Sequence, residues 1–201
     1  MSPIYIPKSK AVEQVEAGSY IARCYRMLHI GTTSYSWEGK DVTANKVQLT
    51  FELPTELKVF KEGEEAKPRV ISAEYTLSMH KKSNLRPILE GWRGKVFTDE
   101  EVDNFDVATL VGVPAFISVL HNEKGYAEIS SISKLPKGTE CPPQVNPSVV
   151  LDYENFSELV FEKLPEFLQN KIRSSVEYKK LKGIKTGDEP VLDKDGNEIS
   201  F

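Results

Sequence analysis

Over residues 46–53 the chain alternates without a break: Val47, Leu49, Phe51 and Leu53 take one parity, and Lys46, Gln48, Thr50 and Glu52 take the other. A period of two is the mark of a strand with one apolar and one polar face. Pro54 ends this strand, because it cannot donate to a ladder. The pattern repeats downstream, with Ile71, Ala73, Tyr75, Leu77 and Met79 against Ser72, Glu74, Thr76, Ser78 and His80. Upstream, Ala22, Cys24, Leu28 and Ile30 share a parity that Arg26 interrupts, which reads as a long strand with an irregularity. Two further strands, at about 113–121 and 126–134, are joined by HNEKG in the manner of a hairpin. A chain built this way is committed to a mainly β scaffold.

Between the third and fourth strands the pattern turns helical. Ser83 is a candidate N-cap, Pro87 is tolerable only in a first turn, and Gly94 can stop the helix. Leu85, Ile88, Leu89 and Trp92 form its apolar face, which points Trp92 into a barrel as a plug. Thr98 with Glu101 three residues later reads as a capping box opening a second short helix at 99–104. The order, three strands, a helix and two strands, is that of an oligonucleotide/oligosaccharide-binding (OB) β-barrel. The predicted organisation is a flexible leader over 1–17, the OB domain over 18–136, a helical extension over 137–180 and a disordered acidic tail over 181–201. Within the OB domain, GTTSYSWEGKD (31–41) is expected as a loop and 54–69 as a charged, mobile excursion.

Little in the sequence points to catalysis. No Gly-rich phosphate loop and no nucleophile elbow is present. His29, His80 and His121 are too scattered for a metal site, and the acids Asp99, Glu100, Glu101 and Asp103 suit a helix N-terminus through its dipole. The cysteines, Cys24 and Cys141, have no metal-binding spacing and fit a reducing compartment. No apolar run approaches the length of a membrane span, and the first residues lack the pattern of a secretory signal. The chain is therefore expected to be non-enzymatic, without metal or cofactor.

Charge points to binding instead. The chain carries a formal net charge of −4, yet residues 79–97 hold five basic residues (Lys81, Lys82, Arg86, Arg93, Lys95) against Glu90 alone. Such a segregated patch suits phosphate. OB barrels hold single strands across strands two and three, between the first–second and fourth–fifth loops. Those loops and strand two bring Tyr35, Trp37, Lys40, Lys46, Lys124 and Tyr126. Lysines there would neutralise phosphates and aromatics would stack on bases.

Beyond Pro136 a turn-rich stretch, CPPQVNP, leads to an apolar helical segment with Leu159, Phe161, Leu164, Phe167, Leu168 and Ile172, split by Pro165 and packed on the barrel. Residues 186–201 hold five acids against Lys194 and end in Phe201. Such a tail can compete for a basic groove or dock its terminal aromatic and carboxylate in a partner; Asp193, Asp195, Glu198, Ile199 and Phe201 are the candidate residues.

The runs YTLSMHKKSNLRPILEGWRGKVFTDEEVDNFD, LVGVPAFISVLHNEKGYAEISSISKLPKG, PPQVNP and LPEFLQNKI resemble a family of small bacteriophage and prophage proteins described as replication-associated or single-stranded DNA-binding. The resemblance covers residues 18–178. It implies an OB-type fold, single-stranded DNA as partner, a part in phage DNA replication or recombination, and a place in the host cytoplasm. The tail is similar to those with which bacterial and phage single-strand-binding proteins recruit replication partners, although its acidic run is sparser. The alternative is an OB module for protein interaction, a phage assembly factor or an inhibitor of a host enzyme, without nucleic-acid binding.

Overall fold

The computed structural model describes residues 13–37, 39–184, 191–192 and 198–199, with the backbone alone for Tyr35, Trp37, Lys40, Asp41 and the two tail pairs. The chain is mainly β. Five antiparallel strands lie in the order β3-β2-β1-β4-β5: β1 Gly18–Trp37, β2 Lys40–Lys58, β3 Lys67–Thr76, β4 Pro114–His121 and β5 Ala127–Ser133. A short sixth, β6 (Val149–Leu151), pairs parallel to β1. The sheet is an open path. No ladder joins its ends, β3 and β5, among the described residues, but they pack against each other.

The first two strands are longer than the sequence pattern suggests. The expected loop over 31–41 is the tip of a β1–β2 ribbon, paired from Gly31 with Lys46 out to Trp37 with Lys40. Pro54 does not end β2; a register shift between Leu53 and Leu57 absorbs it, and Leu57 and Lys58 pair with Pro68 and Lys67. The expected mobile excursion over 54–69 therefore shrinks to the turn at 59–66. Its flanks are paired strand.

The irregularity at Arg26 is a bulge, with register shifts between Cys24 and Arg26 and between His29 and Gly31. An extra residue flips every later side chain to the other face. Ala22, Cys24 and Met27 thus join one core with Leu49, Phe51, Leu53, Ile117 and Val119. Leu28 and Ile30, read as sharing the parity of Ala22, instead face a second core with Leu151, Phe161, Leu164, Leu168 and Ile172. Burial holds the Cys24 thiol up at about 12, so it behaves as a small core residue.

Helix α1 (Leu85–Arg93) closes the first core. Leu85, Leu89 and Trp92 are buried, Trp92 Nε1 donates to Pro114 O (2.7 Å), and its ring lies 5.3 Å from that of Phe51. Gly91 is required by close approach, because a Cβ there would meet Ile132 O at 2.8 Å. Asn84 occupies the N-cap position but makes no side-chain cap bond; the Ser83 hydroxyl, one residue earlier, accepts from Arg86 N (3.4 Å), and Gly94 ends the helix in the left-handed conformation. The Thr98–Glu101 capping box is formed and opens α2 (Asp99–Asp103).

Pro165 splits the C-terminal segment into α3 (Glu158–Glu162) and α4 (Glu166–Ser174), and α5 (Val176–Leu181) follows. Leu159 and Phe167, expected in the apolar face, are exposed. No strand was expected at 149–151. The leader divides at the edge of the described residues. Residues 1–12 lie outside them, whereas Val15 is buried and Arg69 binds the carbonyls of Glu13 and Gln14. The tail expected as disordered also falls mostly outside; within it, Val191–Leu192 pairs with Glu198–Ile199.

Candidate nucleic-acid interface

The outer face of β2, by its alternation a polar surface open to a ligand, is sealed. Thr50 and Glu52 are 0% exposed and Gln48 6%. Glu52 Oε1 accepts from Val145 N (2.9 Å), and its Oε2 accepts from Asn146 N (2.8 Å) and Asn146 Nδ2 (2.7 Å). Beside it Arg23, opposite Glu52 in the β1–β2 ladder, donates to Gly112 O and Pro142 O. The CPPQVNP stretch is thus a strap, stapled by a buried carboxylate across the face where a single strand was expected to lie. A buried carboxylate is tolerable when it is well hydrogen-bonded, and this one accepts three hydrogen bonds.

The ribbon continues past the seal. At its base Thr32 donates through its N–H and its hydroxyl to the Glu177 carboxylate, both at 2.6 Å. Burial alone would raise the Glu177 pKa, but these hydrogen bonds outweigh it and hold the carboxyl below its ordinary value. Tyr153 donates to Ile30 O (2.9 Å) and pairs with the Ser175 hydroxyl (2.8 Å). Gly31, at φ +88°, passes through this junction where a Cβ would lie 2.7–2.8 Å from Glu177, Ser175 and Tyr153. On the other side Leu77 N donates to Asn45 O (2.8 Å), so β3 leaves the sheet beside the ribbon base and delivers the turn bearing Lys81 and Lys82.

Of the candidate residues, Lys81 and Lys82 are exposed and no acid pairs with them among the described residues. Tyr35, Trp37 and Lys40 lie at the ribbon tip, their side chains outside what the structure describes. Lys46 is on the outer face of β2, half-buried and already engaged. Arg86 is occupied: it pairs with Glu90 (3.0 Å) and donates to Met79 O and Phe97 O. Arg93 is likewise held by both Glu101 oxygens (3.1 and 2.7 Å), 4.2 Å from the centre of the Phe97 ring. Arg93, with help from the Thr98 N–H and Lys95, lowers the Glu101 pKa to about 2. These arginines clasp α1 to the chain that follows it, a structural use that their sequence position did not reveal.

Lys124 and Tyr126 are exposed in the β4–β5 hairpin. Gly18 pairs with Val119, so this hairpin adjoins the start of β1 while the ribbon tip lies at its end. The structure does not bring the two loops together by pairing. In the tail, Glu198 and Ile199 lie in the short strand pair, and Asp193, Asp195 and Phe201 lie outside the described residues.

The sequence reading missed the basic character of the C-terminal helices. Residues 163–182 carry Lys163, Lys171, Arg173, Lys179, Lys180 and Lys182 against Glu166 and Glu177. That excess was countable, but it is interleaved with the apolar positions of a packing helix. No protein-family model matches the chain, and no curated protein matches it in sequence.

Proposed function

We propose that this protein binds single-stranded DNA without catalysing a reaction, as a bacteriophage replication or recombination factor on an OB-type barrel. The observation that carries the reading is the pair of exposed lysines, Lys81 and Lys82, which make no ion pair among the described residues, set beside the base of a ribbon whose tip bears Tyr35, Trp37 and Lys40. Lysines without an ion-pair partner are available to phosphate, and aromatic residue types are those that stack on bases. The strand path β3-β2-β1-β4-β5, the packing of its end strands and the plug helix α1 between β3 and β4 support the barrel. On this reading the acidic, Phe-ending tail recruits partners.

The sealed β2 face supports the alternative, a protein-interaction module, because it removes the platform that OB domains use for single strands. Titration of labelled oligo-dT separates the two. The full chain is expected to bind at about 50 mM salt and far more weakly at about 300 mM. The double variant Lys81→Ala/Lys82→Ala should flatten the slope of log K against log salt by about 1.4, because each phosphate that a lysine neutralises contributes about 0.7. No binding at the lower salt, with or without residues 186–201, would overturn the proposal in favour of the interaction module.

A further inference from the structure

Phe167 is the anomaly of the C-terminal extension. It sits in the apolar pattern of α4, yet Leu168 and Ile172 take the buried face and Phe167 is left 61% exposed. One turn further along lies Lys171, also exposed, whose Nζ reaches Glu74 Oε1 on β3 (2.6 Å). Glu74 pairs in register with Gln48, and Lys46 follows two positions along β2, roughly 7 Å away. Lys46 in turn pairs with Gly31, where the ribbon leaves the sheet. An exposed aromatic therefore lies on a basic extension, in line with the lysine-bearing base of the ribbon.

We propose that Phe167 is a base-stacking platform, and that the single strand crosses the outside of α4 because the strap and the extension cover the outer face of β2. This rests on the reading of the protein as a single-strand binder. The chemistry is a nucleobase on the Phe167 ring, with a neighbouring phosphate reaching Lys171 only by displacing Glu74 from it. Charge along the chain favours that ligand: the protein is acidic as a whole, while 163–182 holds six basic residues against two acids, two of the six (Lys171 and Lys182) being ion-paired with Glu74 and Glu158. An exposed aromatic among cations is the combination that binds single strands without sequence preference.

The test is oligo-dT affinity of the full chain bearing Phe167→Leu, Phe167→Ala or Phe167→Trp, with thermal melts as a check on folding. Leucine keeps apolar area but loses the π-face, and tryptophan keeps the π-face. Phe167→Leu and Phe167→Ala should weaken binding by about 5- to 100-fold with an unchanged salt slope, and Phe167→Trp should stay within about 3-fold of the natural chain. If the natural chain binds and Phe167→Leu binds equally well, the platform is refuted while the single-strand reading stands. Equal loss in the leucine and tryptophan variants also refutes it, because shape rather than stacking would then matter. If the natural chain binds no oligonucleotide, the functional reading fails and takes the platform with it.

Discussion

Replacing Glu52 probes the joint between sheet and extension. Its carboxylate is fully buried and accepts hydrogen bonds from Val145 N, Asn146 N and Asn146 Nδ2 at 2.9, 2.8 and 2.7 Å. Glutamine has nearly the same shape but presents one acceptor and one donor. With its oxygen in the place of Oε2 it keeps both Asn146 hydrogen bonds and turns an amide nitrogen toward the Val145 N–H. A donor stranded in this way costs about 1–3 kcal/mol, and loss of charge weakens each remaining bond by about 1 kcal/mol. Two effects oppose this. A neutral amide is easier to bury than a carboxylate, and Val145 is exposed enough for water to reach the strap. The net loss for Glu52→Gln is about 2 kcal/mol, which for a chain of this size lowers Tm by about 4–8 °C. Glu52→Ala should cost more, about 3 kcal/mol, because no acceptor remains. Calorimetry measures the first quantity, and amide exchange reports whether Val145 and Asn146 open while β2 stays protected. If Glu52→Gln shifts stability by less than about 0.5 kcal/mol with those amides still protected, the carboxylate does not hold the strap.

Gly31→Ala is expected to lose about 3 kcal/mol, from the left-handed backbone and the collision with Glu177, Ser175 and Tyr153, and to make residues 153–184 more sensitive to protease. A shift in urea midpoint equivalent to less than about 1 kcal/mol would show that the junction yields easily. The clasp between Arg93 and Glu101 should titrate late. Because the folded carboxyl sits at about 2 against an ordinary 4.5, its stabilising effect is complete above about 4.5 and is lost as pH falls toward 2. Carbon-13 NMR of the Glu101 carboxyl should give a midpoint close to the lower figure, and a midpoint near 4 would disprove the clasp.

The parts of this fold that were legible in advance are those written in neighbouring residues. Alternation marked β2 and β3, HNEKG marked the β4–β5 hairpin, Thr98 and Glu101 marked the start of α2, and Pro165 marked the break between α3 and α4. Each is a short-range steric or hydrogen-bonding preference that operates before the chain is compact. The candidate site was less legible. Arg86 and Arg93 counted as free charge in the sequence, but acids four and eight residues away claim them.

Periodicity assigned Gln48, Thr50 and Glu52 to the face opposite the core, and that assignment is correct. What lies on that face depends on Val145 and Asn146, 93 and 94 positions beyond Glu52, and no local pattern carries that distance. The bulge near Arg26 shows the same division. The sequence marked an irregularity there, but not that it hands Leu28 and Ile30 to a second core built from 151–178. Strands, turns and caps were thus set by residues close in the chain. Which polar face stays open to a ligand was settled only when distant segments folded onto it, since burial belongs to the packed molecule and not to any one stretch of it.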